Sequence, residues 1–203
     1  MEDWEMKSKV ILLMCVLLLA SLSFGNVLIG NFEDETLDGW DSGSAAIEQT
    51  TIGATLGEYA MKTVFPSGWV GGPSLDLWGT SLVEELTAPG AKITADVSNM
   101  NSDNSIPGWW GSVGLYVNCD GYFDYVAWND LTVFWDLGLQ QMEFAIPDAA
   151  RTALASATSY ASVGFQGNSG GMTVYLDNIQ IVPEPATLTL LGVGALALIR
   201  RKR

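Results

Sequence analysis

Ala91, Ile93, Ala95 and Val97 alternate with Lys92, Thr94 and Asp96, and Val113, Leu115 and Val117 alternate with Ser112, Gly114 and Tyr116. A period of two places alternate side chains on opposite faces, so both runs predict half-buried strands. Further strands are predicted over Val27–Phe32, Ala45–Gln49, Tyr59–Phe65, Gln141–Ile146, Tyr160–Gln166 and Met172–Val182, separated by clusters of Gly, Pro, Asn and Ser. About nine short strands in one body point to an all-β sandwich. Only Asp148–Ala157 has helix-forming composition, and Pro147 suits its start. No internal repeat or interior linker argues for a second domain.

The two ends break this pattern. Lys7 and Lys9 precede the apolar run Val10–Ala20, and Ser23-Phe24-Gly25 supplies small residues before a plausible cut, the arrangement of a Sec signal peptide over residues 1–25. Glu2, Asp3 and Glu5 are foreign to a cationic leader, which favours a start at Met6. Cys15 lies inside the greasy core after Met14, so it is no lipoprotein cysteine and leaves with the leader. At the other end Pro183-Glu184-Pro185 precedes an apolar segment and the cluster Arg200-Arg201-Lys202-Arg203. Each proline lacks an N–H and fixes φ, so the motif is extended and exposed to a protease. The 14 residues Ala186–Ile199 span about 21 Å as a helix against a hydrocarbon core of about 30 Å. Snorkelling of the terminal cations, placed on the cytoplasmic side, lets so short a transmembrane helix anchor.

Residues 183–203 resemble the PEP-CTERM sorting signal of bacterial exported proteins: a Pro-Glu-Pro motif, a transmembrane stretch and a basic end. The resemblance implies an exosortase-type membrane protease as partner, cutting near the motif, and a host that makes exopolysaccharide. The expected route is Sec export, an inner-membrane-anchored precursor, then the cell surface or the extracellular matrix.

Removing both ends sharpens the charge. Of 23 acids, Glu2, Asp3, Glu5 and Glu184 go, and of nine bases only three stay, leaving the body of residues 26–182 near −16. Such a surface repels phosphate backbones, which excludes nucleic acid as a partner. Only Cys119 survives processing, so no intrachain disulfide forms in the body. The chain has no histidine, which removes Ser-His-Asp and Cys-His nucleophile systems and histidine-ligated zinc. A carboxylate pair of the glycosidase kind is the remaining catalytic option, and no spacing among the acids singles one out. The reading is therefore of a non-enzyme.

The strand Asn31-Phe32-Glu33 followed by Asp38-Gly39-Trp40, and the closing Val174-Tyr175-Leu176-Asp177-Asn178-Ile179, resemble the first and last strands of galactose-binding-like jelly rolls, the fold of many carbohydrate-binding modules. The resemblance implies a jelly-roll β-sandwich and a structural calcium ion shared by Glu33 and Asp177, clamping the terminal strands.

Trp109, Trp110, Tyr116, Tyr122, Tyr125, Trp128 and Trp135 crowd one segment, and its register decides which of them face water. A two-residue turn at Asp120-Gly121 sets Asp124 opposite Val117 on the core face, where an unpaired acid costs several kcal/mol. A three-residue loop Cys119-Asp120-Gly121 shifts the pairing by one and removes that acid. The second register is the expectation. It puts Phe123, Tyr125 and Ala127 inside and presents Tyr116, Asn118, Tyr122, Asp124 and Trp128 outside as a sugar site, with rings for pyranose faces and polar groups for hydroxyls. Three function classes stay open: an exported carbohydrate- or exopolysaccharide-binding protein, an adhesive matrix protein without a glycan site, and a carboxylate-dependent polysaccharide-active enzyme. The first is favoured.

Overall fold

The computed structural model describes residues 25–34, 36–99, 111–131, 138–169 and 171–183. Residues 1–24 of the leader, Trp109, Trp110 and Trp135, and the tail from Glu184 through Pro185 to the basic cluster Arg200, Arg201, Lys202 and Arg203 lie outside them. Among the described residues no helix is long and apolar enough to cross a membrane.

Asn26–Pro183 forms one unit of two antiparallel sheets. The first combines β1 (Val27–Gly30), β3 (Ala46–Thr50), β4 (Ala60–Phe65), β6 (Lys92–Asn99), β9 (Gly138–Ala145) and β11 (Met172–Val182) in the order β3-β4-β11-β6-β9, with β1 beside the C-terminal half of β11. The second is ordered β2-β5-β10-β7-β8, from β2 (Trp40–Asp41), β5 (Gly68–Asp76), β7 (Ser112–Cys119), β8 (Tyr122–Asp130) and β10 (Ala161–Ser169). Helices α1 (Leu82–Thr87) and α2 (Asp148–Ser156) complete the unit and touch each other. This is the jelly-roll sandwich that the strand pattern and the resemblance lead to.

The core lies between the sheets. Phe165 on β10 stacks on Trp40 at 5.5 Å and meets Phe144 on β9 edge-on at 5.6 Å, while the Trp40 indole donates to the Ile29 carbonyl at 2.9 Å. Leu115, Val117, Val163, Ile93, Leu176 and Ile181 fill the space around them with no measurable exposure.

Three features depart from the sequence reading. β6 is buried along both faces from Ile93 to Asn99, because the loop joining β3 to β4 folds back over the outer side of its sheet. There Thr55 donates its hydroxyl to Asp96 at 2.7 Å, and a Cβ on Gly53 would sit 2.7 Å from Ser98 Oγ. β5 escapes prediction because Gly71, Gly72 and Pro73 interrupt its alternation. They fall at the irregularity opposite Gly164–Gln166, where proline is tolerated, and Gly72 leaves room for the Phe65 ring, 2.3 Å from where a Cβ would stand. Helix α1 also has no counterpart in the prediction, whereas α2 starts after Pro147 as expected and buries Ala150 and Leu154.

Candidate functional site

The β7–β8 hairpin turns on two residues. Cys119 pairs with Tyr122, Asn118 with Phe123, Val117 with Asp124 and Tyr116 with Tyr125, so the three-residue loop is corrected to Asp120-Gly121 with Gly121 at φ +80°. The Asp120 carboxylate fixes this turn by accepting from the backbone N–H and hydroxyl groups of Thr158 and Ser159. Those donors, the Thr158 N–H first and the Ser159 hydroxyl next, hold the acid well below the usual carboxylate range. The penalty for Asp124 does not arise, because β8 is an edge strand. Asp124 is exposed there and takes a hydrogen bond from the Tyr122 hydroxyl at 3.3 Å.

A bulge then reverses the phase of β8. Beyond it Leu115 pairs with Ala127 and Gly114 with Trp128, which is the anticipated facing. The predicted site is thus divided. Tyr116, Asn118 and Trp128 share the outer face of the five-stranded sheet, and Tyr122 and Asp124 fall on the opposite side, Tyr122 half-buried against the core. Phe123 and Tyr125, predicted inside, replace them and stand 53% and 39% exposed.

The rings on that outer face form an unbroken strip. Tyr116 lies 5.5 Å from Phe123, Phe123 5.1 Å from Tyr125, Tyr125 5.5 Å from Trp128, and Trp128 4.9 Å from Trp69 on β5. Neighbouring planes are turned by 33° to 86°, so the rings offer separate faces rather than one flat platform. Two glycines create the room: Trp128 covers Gly114, and Tyr116 covers Gly164, at 2.6 Å and 2.4 Å from where their Cβ atoms would be. Sequence reasoning missed Trp69, since the strand carrying it was not recognised. It is the most exposed ring of the strip at 63%.

Polar groups share the face. Tyr160 and Ser162 hydroxyls lie 2.7 Å apart, Asn118 reaches Tyr160 at 3.5 Å, and Tyr116 bonds to Ser74. Burial pushes the Tyr116 phenol above the usual tyrosine range, so it stays a neutral donor and acceptor. Gln166 follows Phe165 on β10 and pairs with Gly114 under Trp128, which places it on the outer face. It is 3% exposed and its Oε1 has no hydrogen-bond partner among the described residues. A buried carbonyl without a donor costs about 1–3 kcal/mol, a penalty that an incoming hydroxyl removes.

Charge is one-sided. Asp41, Asp76 and Asp130 belong to this face by register. The three cations of the body are elsewhere and engaged: Lys62 with Glu48 at 3.0 Å, Lys92 with Glu143 at 2.6 Å, and Arg151 with Asp148. A separate depression of about 410 Å³, between β1, β5 and α1, includes Leu28, Leu75, Leu82 and Asp38. Its one acid is already bonded to the Asn31 and Phe32 N–H groups at 2.8 and 2.7 Å.

Glu33 and Asp177 grip one loop from its two ends. Glu33 Oε1 accepts the N–H groups of Glu58 and Tyr59 at 3.0 and 2.8 Å. Asp177 Oδ2 accepts those of Thr55 and Leu56 at 2.6 and 2.8 Å, and its Oδ1 that of Asn178 at 2.6 Å. Calcium needs six to eight oxygen ligands, and in this arrangement both carboxylates are engaged by N–H donors. Among the described residues no group of three or more His, Cys, Asp or Glu side chains is placed to hold a metal.

Comparison with known proteins bears on both the tail and the body. Residues 182–203 match the PEP-CTERM protein-sorting motif. No curated protein sequence matches the chain. The body is similar in fold to the CBM22-1 xylan-binding domain of Paenibacillus barcinonensis Xyn10C, with TM-score 0.55 and 18% identity over 78% of this chain and 96% of that one. The CBM22-1-CBM22-2 tandem of the same protein gives the same score and identity, and this chain spans 46% of it. The C-terminal family 22 carbohydrate-binding module of Clostridium thermocellum Xyn10B aligns with TM-score 0.53 and 12% identity, over 79% of this chain and 92% of that one.

Proposed function

We propose that this protein is an exported, non-catalytic carbohydrate-binding protein, sorted through its C-terminal signal by an exosortase-type protease and displayed at the cell surface or in the matrix. Its binding surface is the aromatic strip from Tyr116 to Trp69. The observation that carries the reading is Gln166: a buried amide whose carbonyl lacks a donor among the described residues, set on the face of five contiguous rings. A sugar chain supplies what the face lacks, with apolar ring faces for the aromatics and hydroxyl donors for the carbonyl.

The same face points to a neutral glycan. A uronic acid or sulfated sugar brings negative charge to a surface carrying Asp41, Asp76 and Asp130, and every cation of the body is tied to an acid elsewhere. Retention of the exported protein on immobilised polysaccharides tests this, with xylan as the first neutral probe because it is named for a domain of the same fold. Retention on neutral polymers and passage through uronic-acid polymers is the expected result. Equal passage through both refutes the binding reading.

A further inference from the structure

We propose that the sorting cut falls on the C-terminal side of Pro183, so that the mature body keeps this proline. The proposal rests on the tail being a processing signal, for which the matched segment 182–203 is the support. Val182 opens that segment and is also the last residue of β11, paired with Lys92 of β6. No spacer separates the sandwich from the signal.

β11 is an interior strand, hydrogen-bonded to β4 and β1 on one side and β6 on the other. Ile181 pairs with Val27 and with Ile93 and is fully buried, as is Ile179, and Pro183, expected to be exposed with the rest of the motif, is itself buried at the end of the sheet. A protease that takes its substrate as an extended segment needs backbone N–H and C=O groups on both sides of the bond it cuts. Upstream of Pro183 those groups are in the sheet, and releasing them withdraws Ile181 from the core. The Val182–Pro183 bond and every bond before it are therefore closed to the enzyme while the body is folded.

The geometry has a second consequence. Asn26 donates its side-chain amide to Gln180 at 2.7 Å, and Val27 pairs with Ile181, so the body's first and last residues leave from one pole. Trp69 pairs with Asn168, close to the turn into Met172 at the far end of β11. The exposed end of the aromatic strip is thus directed away from the point of cleavage and attachment.

Cleavage breaks one peptide bond. The acyl carbon passes to water, leaving a carboxylate on the body, or to an acceptor nucleophile, leaving a covalent adduct there; the tail departs with a free amine either way. Intact-mass measurement of the exported protein from its own host is the test, run on the parent and on a variant with a short Gly-Ser spacer between Val182 and Pro183, which leaves the Pro-Glu-Pro motif whole. A mature chain ending at residue 183 or later, with the spacer kept on the body, is the expected result. A chain ending at Val182 or earlier, or a spacer lost with the tail, overturns the position of the cut and leaves sorting intact. Exported chains still ending at Arg203 remove the sorting reading and this proposal with it.

Discussion

Tyr116 lies over Gly164, with its Cζ and Oη atoms 2.4 Å from the place a β-carbon on that glycine would occupy. The glycine is what lets the phenol rest on the sheet and begin the strip that ends at Trp69. Gly164→Ala expels the ring or strains the strand, with an overpacking cost of about 1–3 kcal/mol. Thermal denaturation should show the destabilisation, and retention on a neutral polysaccharide should weaken with it.

Trp128 and Tyr122 separate the observed register from the expected one. Trp128→Ala removes the ring that joins Tyr125 to Trp69, and an anchoring aromatic of this kind is worth more than about 1 kcal/mol, near tenfold in affinity. Tyr122→Ala acts on the other side of β8 and leaves affinity unchanged, although it destabilises the fold by loss of packing. Affinity electrophoresis of both variants checks the pair.

Gln166→Leu roughly keeps the volume of the side chain and deletes the carbonyl that has no partner among the described residues. Stability is expected to rise by about 1–3 kcal/mol in chemical denaturation, while glycan affinity falls. A merely structural glutamine gives no such opposition between the two measurements.

Asp120 sets an acid limit on the hairpin. Its carboxyl is held below its unfolded value of about 3.9 by the Thr158 and Ser159 donors, so its contribution is complete above that pH and is lost as pH falls toward the folded value. Asp120→Asn should flatten the fall in melting temperature below about pH 5 relative to the parent.

Calcium should leave the melting temperature where it was. Glu33 and Asp177 already hold the loop from Thr55 to Tyr59 through its N–H groups. An upward shift on titration would show these acids turning from the loop to an ion. Asp177→Asn is expected to destabilise with or without calcium, because the acid is fully buried and accepts three N–H donors.

The sandwich was legible because most strands carry their own alternation: Met172–Val182 is recovered to the residue, and Ala60–Phe65 to within one. β5 was hidden by Gly71-Gly72-Pro73, whose use depends on a bulge in β5 opposite Phe165 of β10 and on the Phe65 ring, neither of which local sequence records. The double burial of β6 was hidden for a similar reason, since its cover is a loop more than thirty residues upstream. At the site, the aromatic segment stood out by composition, and Tyr116, Asn118 and Trp128 were correctly faced. Phe123 and Tyr125 were not, because a two-residue turn followed by one bulge in β8 inverts the order between them, and the anchoring of that turn through Asp120 at Thr158 and Ser159 is a tertiary event.

The central claim is that the ring strip ending at Trp69 and Trp128 binds a neutral sugar chain. Tryptophan fluorescence of the exported protein, titrated with neutral xylan-derived oligosaccharides and in parallel with a uronic-acid oligosaccharide, tests it most directly. A saturable change with the neutral ligand alone, abolished in the Trp69→Ala, Trp128→Ala double variant, is the predicted result. A response that survives the double variant, or one shared equally by the acidic sugar, contradicts the account.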